Sequence, residues 1–101
     1  MVKHIVFWKM KQATPPDTRR QNAEKMKATL ESLRGRVPGL LGLEVGIAFN
    51  DGDGAYDVAL YSEFAGRTEL AAYKDHPAHV AVVKTISAWR ESRVVVDYEV
   101  E

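Results

Sequence analysis

Five residues have the types and positions for proton chemistry: His4, Tyr73, Asp75, His76 and His79. Four of these five fall in the single stretch Tyr73-Lys74-Asp75-His76-Pro77-Ala78-His79. The residue before a proline is biased out of the α region, so a helix carrying Tyr73 must stop near His76 and a second must restart at Pro77. His79 then lies in the first turn of that second helix. There the positive end of the dipole and the free N–H groups disfavour imidazolium and keep the ring neutral, the form a general base needs. Tyr73, across the break, offers a phenol that could donate to a carbonyl oxygen or a developing oxyanion. His4 shares a strand face with Val6 and Trp8, and if that face turns toward the helices, His4 and His79 approach across a sheet–helix cleft. Each residue also has a structural role open to it. His76 suits a helix cap better than a catalyst. A tyrosine on an inner helical face is commonly a core residue, whereas two buried imidazoles demand partners and add little to packing.

The apolar residues expected to line this cleft are Val6, Trp8, Met26, Leu30 and Trp89. Arg90, Glu91 and Arg93 read as a solvated face. His76 and His79 stand three apart, as metal ligands often do, but no third ligand is evident and the His-Glu pattern of a hydrolytic zinc helix is missing, so neither metal nor cofactor is expected. Gly52 and Gly54 sit in a hairpin loop with no helix after them and make no phosphate cradle. No serine occupies a Gly-x-Ser-x-Gly elbow.

The elements that must position these side chains follow from periodicity. Lys3 to Met10 reads as a first strand with apolar residues on both faces. Thr14 is the expected N-cap of a helix with Pro15 at its first position and Asp17 closing a capping box. Met26, Leu30, Leu33 and Val37 form its inner stripe, and Gly35 and Pro38-Gly39 end it. Strands at 41–49 and 56–64 flank the turn signal Asn50-Asp51-Gly52-Asp53-Gly54 and form a hairpin. A short helix at 67–74, a second from Pro77 to about Arg90, and a last strand at 93–100 complete the chain.

The resulting order, β-α-β-β-α-β, predicts a ferredoxin-like α+β fold: a four-stranded antiparallel sheet with helices on one face, in a single domain spanning 1–101. Two helices cover one face only, yet strand one is apolar on both sides and the last strand contains Val94-Val95-Val96. A homodimer that packs the two open faces together is the expected cover. Composition narrows the partners further. Fourteen Lys plus Arg balance fourteen Asp plus Glu, and 46% apolar with 28% charged residues is the make-up of a folded globule. Zero net charge removes the field that draws a chain onto phosphates or anionic lipid, so neither nucleic acid nor membrane is an expected partner. The chain has no cysteine, which excludes thiolate chemistry and disulfides and suits a reducing compartment. The N-terminal apolar stretch, Ile5 to Trp8, is too short for an export signal, and the expected location is cytoplasmic.

Several of these features together resemble the stress-responsive A/B barrel (Dabb) family: His4-Ile5-Val6 opening strand one, Pro38-Gly39, Gly46, Ser62-Glu63-Phe64, the block from Tyr73 to Val80 with its His-Pro-Ala-His core, and Val96-Asp97-Tyr98. The resemblance implies a dimeric α+β barrel. Similarity to the family's olivetolic acid cyclase-like members implies an acid/base pair, with His79 as base, Tyr73 stabilising a carbonyl oxygen and His4 completing the site. Where those cyclases have an aromatic-rich first helix, this chain has Ala23, Met26, Lys27 and Leu30, so their substrate does not carry over. Three functional expectations stand side by side. One is a small-ligand-binding barrel acting on a carbonyl or polyketide-like compound as a cyclase, lyase or isomerase. The second is a noncatalytic stress-response protein whose dimeric barrel is structural, and the third, by analogy of architecture, a cofactor-free monooxygenase.

Overall fold

Strand β1 (Val2–Met10) decides the layering, because its residues alternate between a face buried under helices and a face left open. In the computed structural model, which describes residues 1–101, the chain continues through α1 (Pro16–Glu31), β2 (Leu40–Ile47), β3 (Val58–Phe64), α2 (Arg67–Asp75), α3 (Pro77–Ile86) and β4 (Arg90–Glu99). The four strands form one antiparallel sheet in the order β2-β3-β1-β4, the predicted ferredoxin-like arrangement. Val2, Val6, Trp8 and Met10 of β1 meet Leu60 and Phe64 of β3, Met26 and Leu30 of α1, Tyr73 of α2 and Val82 and Ile86 of α3 in a single core. No helix is long and apolar enough to cross a membrane.

Several features differ from the sequence reading. Helix α1 starts at Pro16 with Pro15 at the cap position (φ −56°, ψ 147°) and no side-chain cap bond, so Thr14 is not the N-cap. A proline at the first helical position holds the preceding residue extended, and with two in succession the helix begins one residue later. Thr14 instead turns its N–H onto the Lys11 carbonyl at 3.1 Å, and Asp17 lies in the first turn at the positive end of the helix rather than closing a capping box. In β2 an irregularity between Leu40 and Gly42 turns Leu41 out to solvent, and Leu43 and Val45 are the residues of this strand that are buried. Leu33 and Val37 are buried as expected, but from turns beyond α1.

Gly39 has to be a glycine. Its φ is +84°, and a Cβ there would stand 2.7 Å from the Cβ of Glu69, so its absence lets α2 lie close against the loop entering β2. The open face of the sheet carries Phe7 from β1 and Val94, Val96 and Tyr98 from β4, in register across the strand pair and exposed. This is the uncovered apolar surface anticipated from the two-sided strands.

Candidate functional site

The antiparallel register of β1 and β4 places His4 directly opposite Asp97, and opposite residues of such a pair share a face. That face is the one under the helices. His4 is 5% exposed, its backbone carbonyl accepts the Ser62 hydroxyl at 2.9 Å, and its Nδ1 is hydrogen-bonded to Oδ1 of Asp97. An ionised carboxylate only accepts, so Nδ1 carries the proton and Nε2 of the neutral ring keeps its lone pair. Lys74, in the last turn of α2, reaches the other oxygen of Asp97 at 3.4 Å.

Between α2 and α3 the chain breaks at His76, which is extended (φ −65°, ψ 134°) because Pro77 excludes the helical conformation before it. The His76 ring accepts the Ala78 N–H at 3.0 Å and caps α3, as its place before a proline suggested. The break folds α3 back so that Nδ1 of His79 donates to the Lys74 carbonyl at 3.1 Å. Here too the carbonyl fixes the tautomer and leaves Nε2 as the basic nitrogen. The His79 and Tyr73 rings lie with centroids 4.2 Å apart, and the His4 ring is 6.0 Å from that of Tyr73. Tyr73 also packs against Phe64, at 4.9 Å. No buried side-chain polar atom in the chain lacks a partner, so the Tyr73 hydroxyl, which bonds to no other group of the chain, is open to the cavity it lines.

That cavity, of about 360 Å³, lies between the sheet and α3. Val6, Trp8, Leu30 and Leu60 form its floor, Val83 and Ile86 its α3 wall, and Lys74, Arg90 and Arg93 join the three site residues around it. Burial pushes the His79 imidazole below its ordinary value, against the opposing bond to the Lys74 carbonyl, and the neighbouring charges of Arg93 and Lys74 act in the same direction as burial. His4 is likewise lowered, first by burial, with the Asp97 contact opposing. Burial pushes the Tyr73 phenol up to about 12. Desolvation alone would raise the Asp97 carboxyl, but its hydrogen bond and charge pairing with His4, together with Lys74, hold it below the usual carboxylate value. At neutral pH the cavity therefore holds two neutral imidazoles and a protonated phenol, which is the state required of bases and a hydrogen-bond donor.

Of the residues singled out from sequence, His4, Tyr73, His79, Val6, Trp8 and Leu30 come together here. Met26 and Trp89 do not line the cavity: Met26 is fully enclosed in the core, and Trp89 packs against the core's edge from the turn before β4. Asp75 ends α2 with its side chain exposed. Arg90 and Arg93 also line the cavity: they stand opposite Met10 and Trp8 of β1, on the face under the helices, while Arg93 remains exposed to solvent as the sequence reading had it. Asp97 was missed as a site residue. The strand alternation already set it on one face with Val95, but its partner depends on the β1–β4 register, which has no local sequence signal.

Comparison with known proteins agrees with this architecture. An uncharacterized protein of Streptomyces coelicolor is 32% identical over 101 residues, covering 98% of this chain and 99% of that one. The crystal structure of a dimeric protein of unknown function with a ferredoxin-like fold from Bacteroides fragilis superposes with a TM-score of 0.88 at 35% identity, over 98% of this chain and 95% of the other. A hydroxynitrile lyase from Passiflora edulis shares the fold at a TM-score of 0.80 and 19% identity, over 99% and 93% of the two chains. The model of the stress responsive A/B barrel domain, Dabb, matches residues 2–100, and the chain belongs to that family.

Proposed function

We propose that this protein is a homodimeric barrel whose cavity binds a small, partly apolar carbonyl compound and promotes its cyclisation, isomerisation or cleavage by acid/base chemistry. The observation that carries this reading is the pairing of each imidazole through Nδ1, His4 with Asp97 and His79 with the Lys74 carbonyl, beside a phenol with no partner in the chain. Nε2 of His79 takes a proton from the carbon next to the carbonyl group while the Tyr73 hydroxyl donates to the carbonyl oxygen and stabilises the enolate. The enolate carbon can then attack a second carbonyl, and the resulting alkoxide recovers the proton from the His79 imidazolium. His4, held by Asp97, presents a second neutral nitrogen to the ligand. The likeness to the Passiflora lyase is one of fold and adds only that a lyase is housed on this architecture.

The homodimer in this proposal is supported by the open apolar face of β1 and β4 and by the dimeric description of the Bacteroides relative. The contrasting reading, a noncatalytic barrel, draws on the fact that the Nδ1 atoms of all three histidines already have structural partners. Titration of the histidines by NMR, with and without a panel of small diketones and hydroxyketones, separates the two. A depressed His79 titration that moves with ligand, together with exchange of the ligand's α-protons into deuterated solvent that Tyr73→Phe and His79→Ala abolish, supports the enzyme. Histidines that titrate normally and ignore every compound would overturn it.

A further inference from the structure

The cavity's charge is lopsided. Lys74, Arg90 and Arg93 line it and no acidic side chain does, although the chain as a whole carries zero net charge. Lys74 is partly neutralised by Asp97 at 3.4 Å, behind His4. Arg90 and Arg93 have no ion-pair partner, and neither guanidinium donates a side-chain hydrogen bond within the chain, while the chain's other Arg–carboxylate contacts, Arg34 with Glu31 and Arg67 with Glu99, lie elsewhere. The nearest acidic residue in sequence, Glu91, accepts the Gln12 N–H at 3.2 Å and is thereby occupied outside the cavity. The floor beneath these cations is apolar, built on Val6, Trp8 and Leu30.

We propose that the ligand carries a carboxylate, which Arg90 and Arg93 bind at the cavity mouth while its apolar body lies on the Val6–Trp8–Leu30 floor. A guanidinium offers a planar fork of donors that a carboxylate accepts in pairs, and two forks without competing anions provide the donors such a group requires. The same charge acts on the site itself, since the Arg93 cation contributes to lowering both His4 and His79. A bound carboxylate would offset that cation and raise the basicity of the two rings, so ligand binding and the proton affinity of the base are linked. The inference rests on the cavity being the ligand site and narrows the compounds that the site accepts.

The test uses matched pairs of short alkyl and aryl carboxylic acids and their methyl esters, with acetate as a bare anion, titrated into the full chain by calorimetry and by histidine NMR. The acids should bind at least about tenfold more tightly than their esters, a ratio in keeping with charge-assisted hydrogen bonds. Arg93→Gln and Arg90→Gln should each remove most of that ratio, Arg20→Gln on the exposed surface of α1 should leave it intact, and acid binding should raise the His79 titration. Equal binding of acid and ester would overturn the carboxylate while leaving the cavity as a site. Acetate binding as tightly as the longer acids would overturn the role of the floor. If neither acids nor esters bind, the carboxylate proposal and the ligand-site reading fall together.

Discussion

Val96→Glu should dissociate the proposed homodimer without unfolding the chain. Val96 is 58% exposed at the centre of the open face, opposite Ile5 and between Val94 and Tyr98 in its own strand, and Phe7, Val94 and Tyr98 around it are each exposed by more than two fifths. Full burial of such side chains stabilises by about 1.5–3 kcal/mol each, so burying the exposed halves of these four on both protomers contributes about 8 kcal/mol. Association itself costs about 4–15 kcal/mol, so these four side chains are a part of the seam and not the whole of it. A carboxylate at position 96 would be desolvated twice in a symmetric dimer, at several kcal/mol per ion. That raises the dissociation constant by about a thousandfold or more. In sedimentation equilibrium at micromolar concentration the native chain should weigh twice 11.3 kDa and the variant 11.3 kDa, with unchanged circular dichroism. A charge on a helix face, as in Arg20→Glu, should have no effect. A native chain that sediments at 11.3 kDa, or a Val96→Glu protein that stays paired, would refute the assignment of this face.

Other outcomes follow from the site. Tyr73→Phe removes a hydroxyl with no partner in the chain and keeps the ring packed on Phe64, so thermal denaturation should show stability unchanged within about 0.5 kcal/mol while α-proton exchange is lost. Asp97→Asn removes the charge that favours protonation of His4, so NMR should find the His4 titration lower still, with a stability loss of about 1 kcal/mol because the Asp97 side chain is partly solvated. Both His4 and His79 have folded-state values below the unfolded 6.5, so on acidification the unfolded chain takes up protons that the folded one refuses. Stability should therefore be level above about pH 6.5 and fall below it. Asp97, lowered from 3.8, adds stability that is lost only as the pH drops below that value. A urea midpoint higher at pH 5 than at pH 7.5 would contradict both imidazole assignments.

The strands and helices were legible because β1 is a short run of β-branched and aromatic residues and because Pro77 punctuates the second half of the chain, both local signals. The pair of His4 and His79 was legible for the same reason: a face rule placed one and a helix start placed the other. What escaped was set by longer-range geometry. Asp97 meets His4 through a contact between residues 93 apart, determined by strand register rather than by any neighbour in sequence. Arg90 was hidden by the early start of β4, which follows from α3 ending at Ile86 and the tight turn where the Trp89 N–H bonds the Ile86 carbonyl at 3.0 Å, whereas Arg93 lay inside the expected strand and needed the register that sets it opposite Trp8. Met26 was misplaced because an inner helical stripe identifies what is buried and not which part of the interior is left empty.

The break at His76-Pro77 creates the site rather than merely interrupting a helix. In an unbroken helix Tyr73 and His79, six residues apart, would differ by about 240° in direction and about 9 Å along the axis, and their rings could not meet. With the break their centroids are 4.2 Å apart. The hydrogen-bond accounting shows why the gain is stable. An unbroken helix would spend the Lys74 carbonyl on the Ala78 N–H, its partner four residues on. Here the Ala78 N–H goes to the His76 ring, and the freed Lys74 carbonyl takes Nδ1–H of His79. One capping imidazole thus releases the acceptor that fixes the tautomer of the other. Replacing Pro77 with alanine would let the two helices fuse and return that carbonyl to the backbone, separating the two rings while leaving both side chains in the sequence.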